Sequence, residues 1–343
     1  MSAPAVTVLM PVLNVEQFVR EAIASILAQT WTDFEFVIVD DGSADGTPGA
    51  IASFADPRIR VITNASRQGL ARALNRGLAA ARAPLVARHD GDDVAHPKRL
   101  ETQLAFLRAN PEVVLLGAQV RVLDARGRAS YPPGWRRALT HAGIRFQSLF
   151  DNPFIHSSVV FRRDVVRDEL GGYDPAFASG EDFDLWSRIA DRYPVRNLPQ
   201  RLVDFRMHAA STAAQFGTDH IARGSAVIEQ NMRSVLALTE VPQRWICMLA
   251  SMQIHPRVRG ALDGRELLDI LAAIHDRYRA CHPEADAETR RIIAAKVAHI
   301  ACLLAGTDRR VALRAFGRAS RLHLRSASAF ATRFAAHLVL GAR

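Results

Sequence analysis

The sequence predicts an α/β protein in which a mostly parallel, Rossmann-like sheet is followed by an all-helical C-terminal region. Short apolar runs, typical of strands buried on both faces, alternate with helical patterns over the first 110 residues. Such alternation implies parallel strands joined by right-handed crossovers. Strand signals vanish from about residue 217 onward. We therefore expect a sheet domain over 1–216, with halves 1–110 and 111–216, and a helical domain over 217–343.

The first four strands are each marked by a short apolar run, beginning with V-T-V-L-M at residues 6–10. A helix is predicted after each strand because apolar residues then recur every three to four positions, as in Phe18, Ala22 and Ile26. The predicted strands are residues 6–10, 34–39, 59–63 and 84–89. The predicted helices are residues 16–29, 46–55, 70–82 and 97–109.

The later elements are less regular. Residues 113–123 and Ser157–Phe161 are strand-like, and the Arg-, Gly- and Pro-rich stretch 126–136 indicates a loop or hairpin. Glu181–Arg192 has the pattern of an amphipathic helix, and Leu202–Met207 that of a last strand ending at His208. The helices predicted for the tail cover residues 218–238, 243–254, 264–281, 286–305 and 308–339.

The charge of the chain is unevenly distributed. The formal net charge is +9, and residues 217–343, with 19 Arg and Lys against 11 Asp and Glu, contribute +8 of it. A basic half indicates an anionic partner, either a membrane surface or a nucleic acid. The three cysteines lack metal-binding spacing, and the N-terminus lacks a signal-peptide pattern. We therefore expect a cytoplasmic protein, either free or peripheral on the inner face of the cell membrane.

Three carboxylates stand together where the fourth predicted strand ends, in the run A-R-H-D-G-D-D at residues 87–93. Asp40 and Asp41 end the second strand in the same way. Ligands of parallel sheets bind at the carboxyl ends of the strands, so the two clusters could share one crevice. A divalent cation such as Mg²⁺ or Mn²⁺, which takes oxygen ligands and phosphates, would offset their mutual repulsion. The alternative is an acidic loop that is solvated or caps the next helix.

An ordered series of short motifs resembles the inverting, family 2 type of glycosyltransferase with the GT-A fold, as found in bacterial surface-polysaccharide synthesis. The series covers about residues 5–212, nearly two thirds of the chain. Its members are V-T-V-L-M-P-V-L-N, F-V-I-V-D-D-G-S-A-D-G-T, Q-G-L-A-R-A-L-N-R-G-L, V-A-R-H-D-G-D-D-V-A-H-P-K-R-L, H-S-S-V-V-F-R-R, G-G-Y-D, G-E-D-F-D-L-W and F-R-M-H. The resemblance implies a hexosyltransferase-type enzyme that needs a nucleotide-sugar donor and a divalent metal.

By this resemblance, four residues would bind the nucleotide. Asp41 would accept hydrogen bonds from the uracil ring of a UDP-sugar, since a carboxylate is an acceptor. Pro11 would line the same base pocket by its backbone. Gly69 would lie close to the donor, where a side chain would obstruct it, and Arg72 could reach a phosphate. The alternatives are a turn or cap residue, a strand-ending proline, a loop glycine and a solvated arginine.

In the same resemblance, Asp90 and Asp92 match the D-x-D motif. Asp90 would reach the ribose side, and Arg88 could hold a carboxylate in place. Asp92 would bind the divalent metal that bridges the diphosphate. His208 stands where many such enzymes complete the metal or diphosphate site with a histidine, although a surface histidine at a strand end is the alternative. His89 replaces the usual apolar residue and is interpreted as a structural or exposed histidine rather than a ligand.

The run G-E-D matches the acidic pair that the family carries on its acceptor side. Asp182 would be the general base that removes the proton of the acceptor hydroxyl during in-line attack on the anomeric carbon, with Glu181 as the alternative. Acidic charge at a helix start is also favourable without any catalysis. His156 would contact substrate, and Trp186 could either stack on a sugar or pack in the core.

The last predicted helix is amphipathic. One stripe holds Arg310, Arg314, Arg318, Arg321 and Arg325, and the opposite face holds Leu313, Phe316, Leu324, Phe330, Phe334 and Leu338. A basic amphipathic helix indicates attachment to an anionic membrane surface, which suits a lipid-linked glycan as acceptor. A helix packed on its own domain with a solvated arginine face, or a dimer contact, is the alternative.

Other function classes fit less well. A sugar-1-phosphate nucleotidyltransferase needs a Gly-rich, basic loop after the first strand, and a dinucleotide dehydrogenase needs G-x-G-x-x-G there, but residues 10–14 read M-P-V-L-N. The tail has no recognised nucleic-acid module, so no nucleic-acid partner is expected. The remaining alternative is a non-catalytic nucleotide-sugar binding or scaffold protein on the same fold. The identity of the sugar and acceptor, and the oligomeric state, stay open.

Overall fold

The computed structural model describes residues 3–124, 126–129, 136–208, 212–246, 264–305, 308–331 and 334–335. The chain divides into two compact units. One comprises Met1–Ser130 with Phe154–His220, and the other comprises Tyr131–Pro153 with Ile221–Arg343. The domain boundary predicted at residue 216 stays a prediction. Tyr131–Pro153, expected in the 111–216 half of the sheet domain, belongs to the second unit.

The first unit is built on an eight-stranded mixed sheet. Its strands are β1 (Val6–Val12), β2 (Phe34–Asp40), β3 (Ile59–Thr63), β4 (Leu85–Arg88), β5 (Val94–Ala95), β6 (Leu115–Leu123), β7 (Val160–Arg162) and β8 (Val195–Arg206). Their order is β3-β2-β1-β4-β7-β6-β8-β5. Neighbours are parallel from β3 to β4 and between β6 and β8, whereas β7 is antiparallel to both of its neighbours and β5 to β8. The predicted α/β class with a largely parallel sheet is confirmed.

The helices follow the strands in the predicted alternation. They are α1 (Val19–Leu27), α2 (Thr47–Ala52), α3 (Leu70–Ala80), α4 (Arg99–Ala109), α5 (His141–Gln147), α6 (Glu181–Arg192), α7 (Thr212–Leu236), α8 (Gly264–Cys281), α9 (Asp286–Leu304), α10 (Arg309–Leu322) and α11 (Leu324–Ser328). Every residue of β1 and β2 is buried, as expected for central parallel strands covered on both faces. The apolar stripe of α1 packs into this core through Val19, Ala22, Ile23 and Ile26.

Strand β7 is shorter than its sequence pattern predicted. Residues 157 and 158, predicted as strand, belong to a 3₁₀ turn over His156–Ser158, and the strand begins only at Val160. The Ser158 hydroxyl donates to the Ile155 carbonyl at 2.8 Å, which is the local bonding by which serine competes with a strand ladder. The turn brings residues 156–159 beside β4, where the Arg88 amide donates to the Val159 carbonyl at 3.0 Å.

The second unit is helical among the residues that the structure describes. Glu288 on α9 accepts hydrogen bonds from the backbone amides of Leu139 (2.6 Å) and Thr140 (3.2 Å) and so fixes the start of α5. The prediction of one continuous helix over 308–339 is wrong. His323 has an extended backbone and its side chain accepts from the Ser326 amide, so it ends α10 and caps α11. No helix within the described ranges is both long and apolar enough for a bilayer crossing.

Candidate active site

A cavity of about 720 Å³ opens at the carboxyl ends of the first unit's parallel strands. The pairing of the strands sets this geometry. The pairing of β1 with β2 ends at Val12 and Asp40, and the pairing of β1 with β4 ends at Leu9 and Arg88. Both acidic clusters therefore leave neighbouring strands at one edge, as expected from the topology. The predicted site residues that line the cavity are Pro11, Asp41, Gly69, Arg72, Asp90, Asp92 and His208.

Asp41 organises the wall of the cavity that faces α3. Its carboxylate is 3% exposed and accepts hydrogen bonds from the Asn64 side-chain amide (2.6 Å), the Gln68 amide (2.9 Å) and the Gly69 amide (2.9 Å). Gly69 has φ of +96°, which disfavours any residue with a side chain. A Cβ at Gly69 would meet no protein atom within 4 Å, so within the chain the glycine is required by its backbone conformation.

The three aspartates that follow β4 form a compact oxygen cluster. One ligand atom from each of Asp90, Asp92 and Asp93 lies within 4.8 Å of the others. Asp90 and Asp92 are half-buried at the cavity. Arg88, which is 1% exposed, forms an ion pair with Asp90, and His208 Nε2 lies 2.8 Å from Asp92 Oδ2. Carboxylate oxygens beside an imidazole form a donor set that suits Mn²⁺ or Mg²⁺.

Asp93 has different surroundings from the other two aspartates. It is fully buried and accepts hydrogen bonds from the Ser157 hydroxyl and, at 2.8 Å, from the Arg206 amide. Burial, with the nearby charges of Asp92 and Asp90, raises the pKa of Asp93 well above its usual value. Its contacts link the acidic loop to the 3₁₀ turn and to the end of β8. Asp93 therefore holds the acidic loop in place through contacts in the protein interior.

Two arginines that sequence reasoning missed support the same loop. Arg206 Nε donates to the Asp92 carbonyl at 3.0 Å, and its Nη2 lies 2.8 Å from Glu21. Arg99 is fully buried and donates to the Arg88 carbonyl at 2.7 Å. The F-R-M-H motif contained Arg206, whereas nothing in the sequence pattern distinguished Arg99 from an ordinary helix arginine.

His89 is buried, so of the two alternatives that the sequence left open the structure favours a structural histidine over an exposed one. Its ring is completely buried, and its Nδ1 lies 3.0 Å from Arg99 Nη1. Burial and the Arg99 charge lower the pKa of His89 well below its usual value, so the ring is neutral and Nδ1 accepts from the guanidinium. The buried pair joins the strand that precedes the D-x-D motif to α4.

Glu181 and Asp182 occupy the first turn of α6, which follows Gly180 in a left-handed conformation (φ +79°). The Glu181 side chain is buried, and its Oε1 lies 3.9 Å from His156 Nδ1. Burial and the neighbouring Asp182 charge raise the pKa of Glu181 to about 8. Asp182 is half-buried, and its Oδ1 accepts from the Phe183 amide at 2.7 Å. A carboxylate held by a helix N-terminus is stabilised in its charged form.

The two residues assigned to the acceptor side are largely buried. Trp186 is 1% exposed and packs edge-on against the rings of Phe154 and Tyr173, so the structure favours core packing, one of the two alternatives that the sequence left open, over stacking on a sugar. His156 Nε2 lies 3.1 Å from the Tyr173 hydroxyl. Burial lowers the pKa of His156 well below its usual value, which leaves the ring neutral beside Glu181.

The fold and this site together define a glycosyltransferase. The family model described as "Glycosyl transferase family 2" matches residues 7–170. The chain is 34% identical over 205 residues to the amylovoran biosynthesis glycosyltransferase AmsE of Erwinia amylovora, covering 59% of this chain and 75% of AmsE. It is 33% identical over 220 residues to the O-antigen biosynthesis glycosyltransferase WbnJ of Escherichia coli, covering 60% and 81%. The chain belongs to glycosyl transferase family 2.

Solved structures of similar shape support the same GT-A-type fold. Residues 1–349 of S. aureus TarS, in complex with UDP-GlcNAc, match with a TM-score of 0.57 and 14% identity, over 98% of this chain and 92% of that one. The mannosyltransferase PcManGT of Pyrobaculum calidifontis, in complex with GDP-Man and Mn²⁺, matches with a TM-score of 0.51 and 20% identity, over 99% and 88%. The fold predicted from the motif order is confirmed.

Proposed function

We propose that this enzyme is a metal-dependent, inverting transferase. It moves a sugar from a UDP-linked donor to a hydroxyl of a growing, lipid-linked cell-surface glycan. The observation that carries the proposal is the convergence of Asp41, Asp90, Asp92 and His208 on one cavity at the carboxyl end of a parallel sheet. An acidic pair at the start of α6 supplies the second chemical group that such a transfer needs.

The nucleotide would occupy the cavity wall formed by β1, β2 and the start of α3. Asp41 keeps acceptor capacity for a base N–H, since a carboxylate can accept about four hydrogen bonds and three are used within the chain. Pro11 lines the same wall, Gly69 leaves open space in front of it, and exposed Arg72 offers a cation to a phosphate. These four residues therefore suit the base, ribose and phosphate of one donor.

The carboxylate oxygens and the imidazole nitrogen at the acidic loop are suitable ligands for a divalent metal. Asp92 and His208 would hold the ion, with Asp90 beside them and turned toward the ribose by its ion pair with Arg88. When bound, such an ion offsets the negative charge that develops on the departing nucleoside diphosphate. Asp93 suits a brace better than a ligand, because it is buried and its two oxygens bind Ser157 and the end of β8.

Asp182 is the better candidate for the general base. A base must be ionised before it accepts a proton, and Glu181, with a pKa of about 8, is mostly protonated at neutral pH. Asp182 is more exposed, and the Phe183 amide stabilises its carboxylate. Glu181, next to His156 and close to the Arg88 charge, would shape the sugar-binding wall as a neutral hydrogen-bonding group. His156 is then a residue of the same wall.

The acceptor class is inferred from the relatives. AmsE is named for amylovoran biosynthesis and WbnJ for O-antigen biosynthesis, and both products are polysaccharides. We infer an acceptor of the same class, presented at the inner face of the cell membrane to a cytoplasmic or peripheral enzyme. TarS was solved in complex with UDP-GlcNAc and PcManGT in complex with GDP-Man, so UDP- and GDP-sugars are the first donors to test.

The proposal is tested by nucleotide release from a panel of UDP-, GDP- and dTDP-sugars, with Mn²⁺ or Mg²⁺ and with a chelator. We expect release from one UDP-sugar that needs the metal and disappears in Asp92→Asn. A glycan-lipid extract should raise the rate, since the acceptor replaces water. Nucleotide binding without release under any of these conditions would favour the non-catalytic binding protein, and no nucleotide binding at all would contradict the assignment of the cavity.

A further inference from the structure

The helices α10 and α11 of the second unit carry charge of one sign only. Residues 309–328 contain six arginines and no aspartate or glutamate. Five of them are exposed, and four of these five are Arg310, Arg314, Arg321 and Arg325. Within the part of the chain that the structure describes, no carboxylate pairs with any of these four. Exposed guanidinium groups that lack acidic neighbours repel one another, and this repulsion favours an anionic partner.

Two exposed leucines lie among these arginines. Leu313 is 55% exposed beside Arg314, and Leu324 is 69% exposed beside Arg325. They are the two most exposed large hydrophobic side chains among the described residues. The sequence pattern had placed both leucines on the face opposite the arginines, and the structure leaves both side chains exposed. We call these four arginines and two leucines the arginine–leucine face.

The inner side of α10 explains why the leucines are free. Small residues fill the contact there, with Val311, Ala312, Ala315 and Ala319 all buried. The aromatic residues complete the packing, since Phe316 stacks on the buried Phe334 at 4.3 Å between ring centroids. Leu313 and Leu324 therefore contribute little to this core, and removing their side chains leaves the packing of the unit intact.

We propose that the arginine–leucine face binds the surface of a membrane that contains anionic phospholipid. Guanidinium groups pair with phosphates in a bidentate fashion, and leucines beside them can enter the boundary between headgroups and acyl chains. A nucleic acid would satisfy the arginines but would leave both leucines in contact with water. A membrane surface satisfies both kinds of side chain, so the leucines decide between the two partners.

The expected size of the effect follows from the number of groups. One arginine near an anionic surface changes binding by about fivefold at moderate salt, and a leucine that leaves water contributes a factor of similar size. Reversing Arg310 and Arg314 is therefore expected to weaken binding by at least about twentyfold. Arg310 lies in the first turn of α10, where an acidic residue suits the helix dipole, and both side chains are exposed, so the double reversal preserves the helix.

The test is co-sedimentation of the full chain with sucrose-loaded vesicles of phosphatidylcholine, with and without 30% phosphatidylglycerol. The variants are Arg310→Glu with Arg314→Glu, and Leu313→Gln with Leu324→Gln. The control for charge is Arg126→Glu with Arg192→Glu, two exposed arginines of the first unit. It changes the net charge of the chain by the same amount. The control for apolar surface is Val61→Gln, at a valine that is 45% exposed.

We expect binding to the anionic vesicles only, strong loss in both face variants and little change in either control. Raising the salt should weaken the arginine contribution and leave the leucine contribution, because only charge is screened. Equal loss in the charge control would mean that overall charge, not this face, drives binding, and would overturn the proposal. Absence of vesicle binding, or preferential binding of an RNA oligonucleotide that ignores the leucine variant, would also overturn it. The readout needs no sugar transfer, so it stands apart from the proposed activity.

Discussion

Two pairs of carboxyl groups in the first unit have different surroundings: the first cluster is Asp90 with Asp92, and the second cluster is Glu181 with Asp182. Asp90 and Asp92 are half-buried at a cavity, beside the Arg88 guanidinium and the His208 imidazole. Glu181 is buried at a helix start, where desolvation and Asp182 raise its pKa to about 8. Partial exposure suits ligands of a cation and a phosphate, whereas burial beside the charge of Asp182 favours the protonated form of Glu181. Position in the fold, more than residue type, assigns the chemistry.

The largest effect is expected at the first cluster. Asp92→Asn removes one charge from the cation site and should lower turnover by about 10³-fold or more, since an ion at a leaving group supplies several kcal/mol. Added Mn²⁺ should no longer stimulate nucleotide release. The measurement is a Mn²⁺ titration of release rate, with the exposed Asp33→Asn as a matched control. Full stimulation of Asp92→Asn by Mn²⁺ would contradict the assignment of the cation site to the first cluster.

A substitution in the second cluster should change the turnover rate and leave the affinity for UDP unchanged. Asp182→Asn leaves the cavity untouched but removes the base, so we expect kcat to fall by about 10²–10⁴-fold with the affinity for UDP unchanged. Steady-state kinetics combined with calorimetric UDP binding separates the two quantities. Asp191→Asn, at the exposed end of the same helix, serves as the control. A comparable loss in Glu181→Gln, with Asp182→Asn active, would assign the base to Glu181 instead.

A smaller effect is expected where the first cluster is braced. Ser157→Ala deletes the hydroxyl that donates to buried Asp93, which should lower the free energy of unfolding by about 1–3 kcal/mol. Loss of such a supporting contact commonly weakens metal affinity by about 10–100-fold. Ser187→Ala is the control, because that buried hydroxyl has no hydrogen-bond partner among the described residues. Denaturant unfolding and metal titration should separate the two variants, and equal behaviour would argue against the bracing role of Asp93.

An effect of similar size is a pH dependence of stability at the second cluster. The folded pKa of Glu181, about 8, lies above the ordinary value of 4.5, so the folded state binds the extra proton between these pH values. The stability contributed by that proton is present below pH 4.5 and is lost as the pH rises toward 8. Glu181→Gln does not titrate, so its free energy of unfolding should rise relative to the parent chain by about 1–4 kcal/mol between pH 5 and 8. A constant difference across this range would contradict the raised pKa.

Much of the first unit could be predicted from the sequence because its strands are buried on both faces and read as apolar runs. The ends of β3 (Ile59–Thr63) and α6 (Glu181–Arg192) agree with prediction to the residue. The order of the motifs predicted the convergence of Asp41, Asp90 and His208 on one cavity, since parallel strands bring their carboxyl ends together.

The features that could not be predicted depend on contacts between distant parts of the chain. The burial of Trp186 is set by Phe154 and Tyr173, and that of Arg99 by His89 and the Arg88 carbonyl. A periodicity within one segment does not encode such partners. The break at His323 was hidden for a similar reason, because the apolar spacing continues through residues whose backbone becomes extended.

The central claim is that the two acidic clusters divide the work, one holding metal and nucleotide and the other removing a proton. Calorimetric titration of UDP into the parent enzyme, Asp92→Asn and Asp182→Asn, each with and without Mn²⁺, tests it most directly. We predict that Mn²⁺ tightens UDP binding in the parent enzyme and in Asp182→Asn to the same degree and has no such effect in Asp92→Asn. Loss of the Mn²⁺ effect in Asp182→Asn, or its survival in Asp92→Asn, would contradict the division.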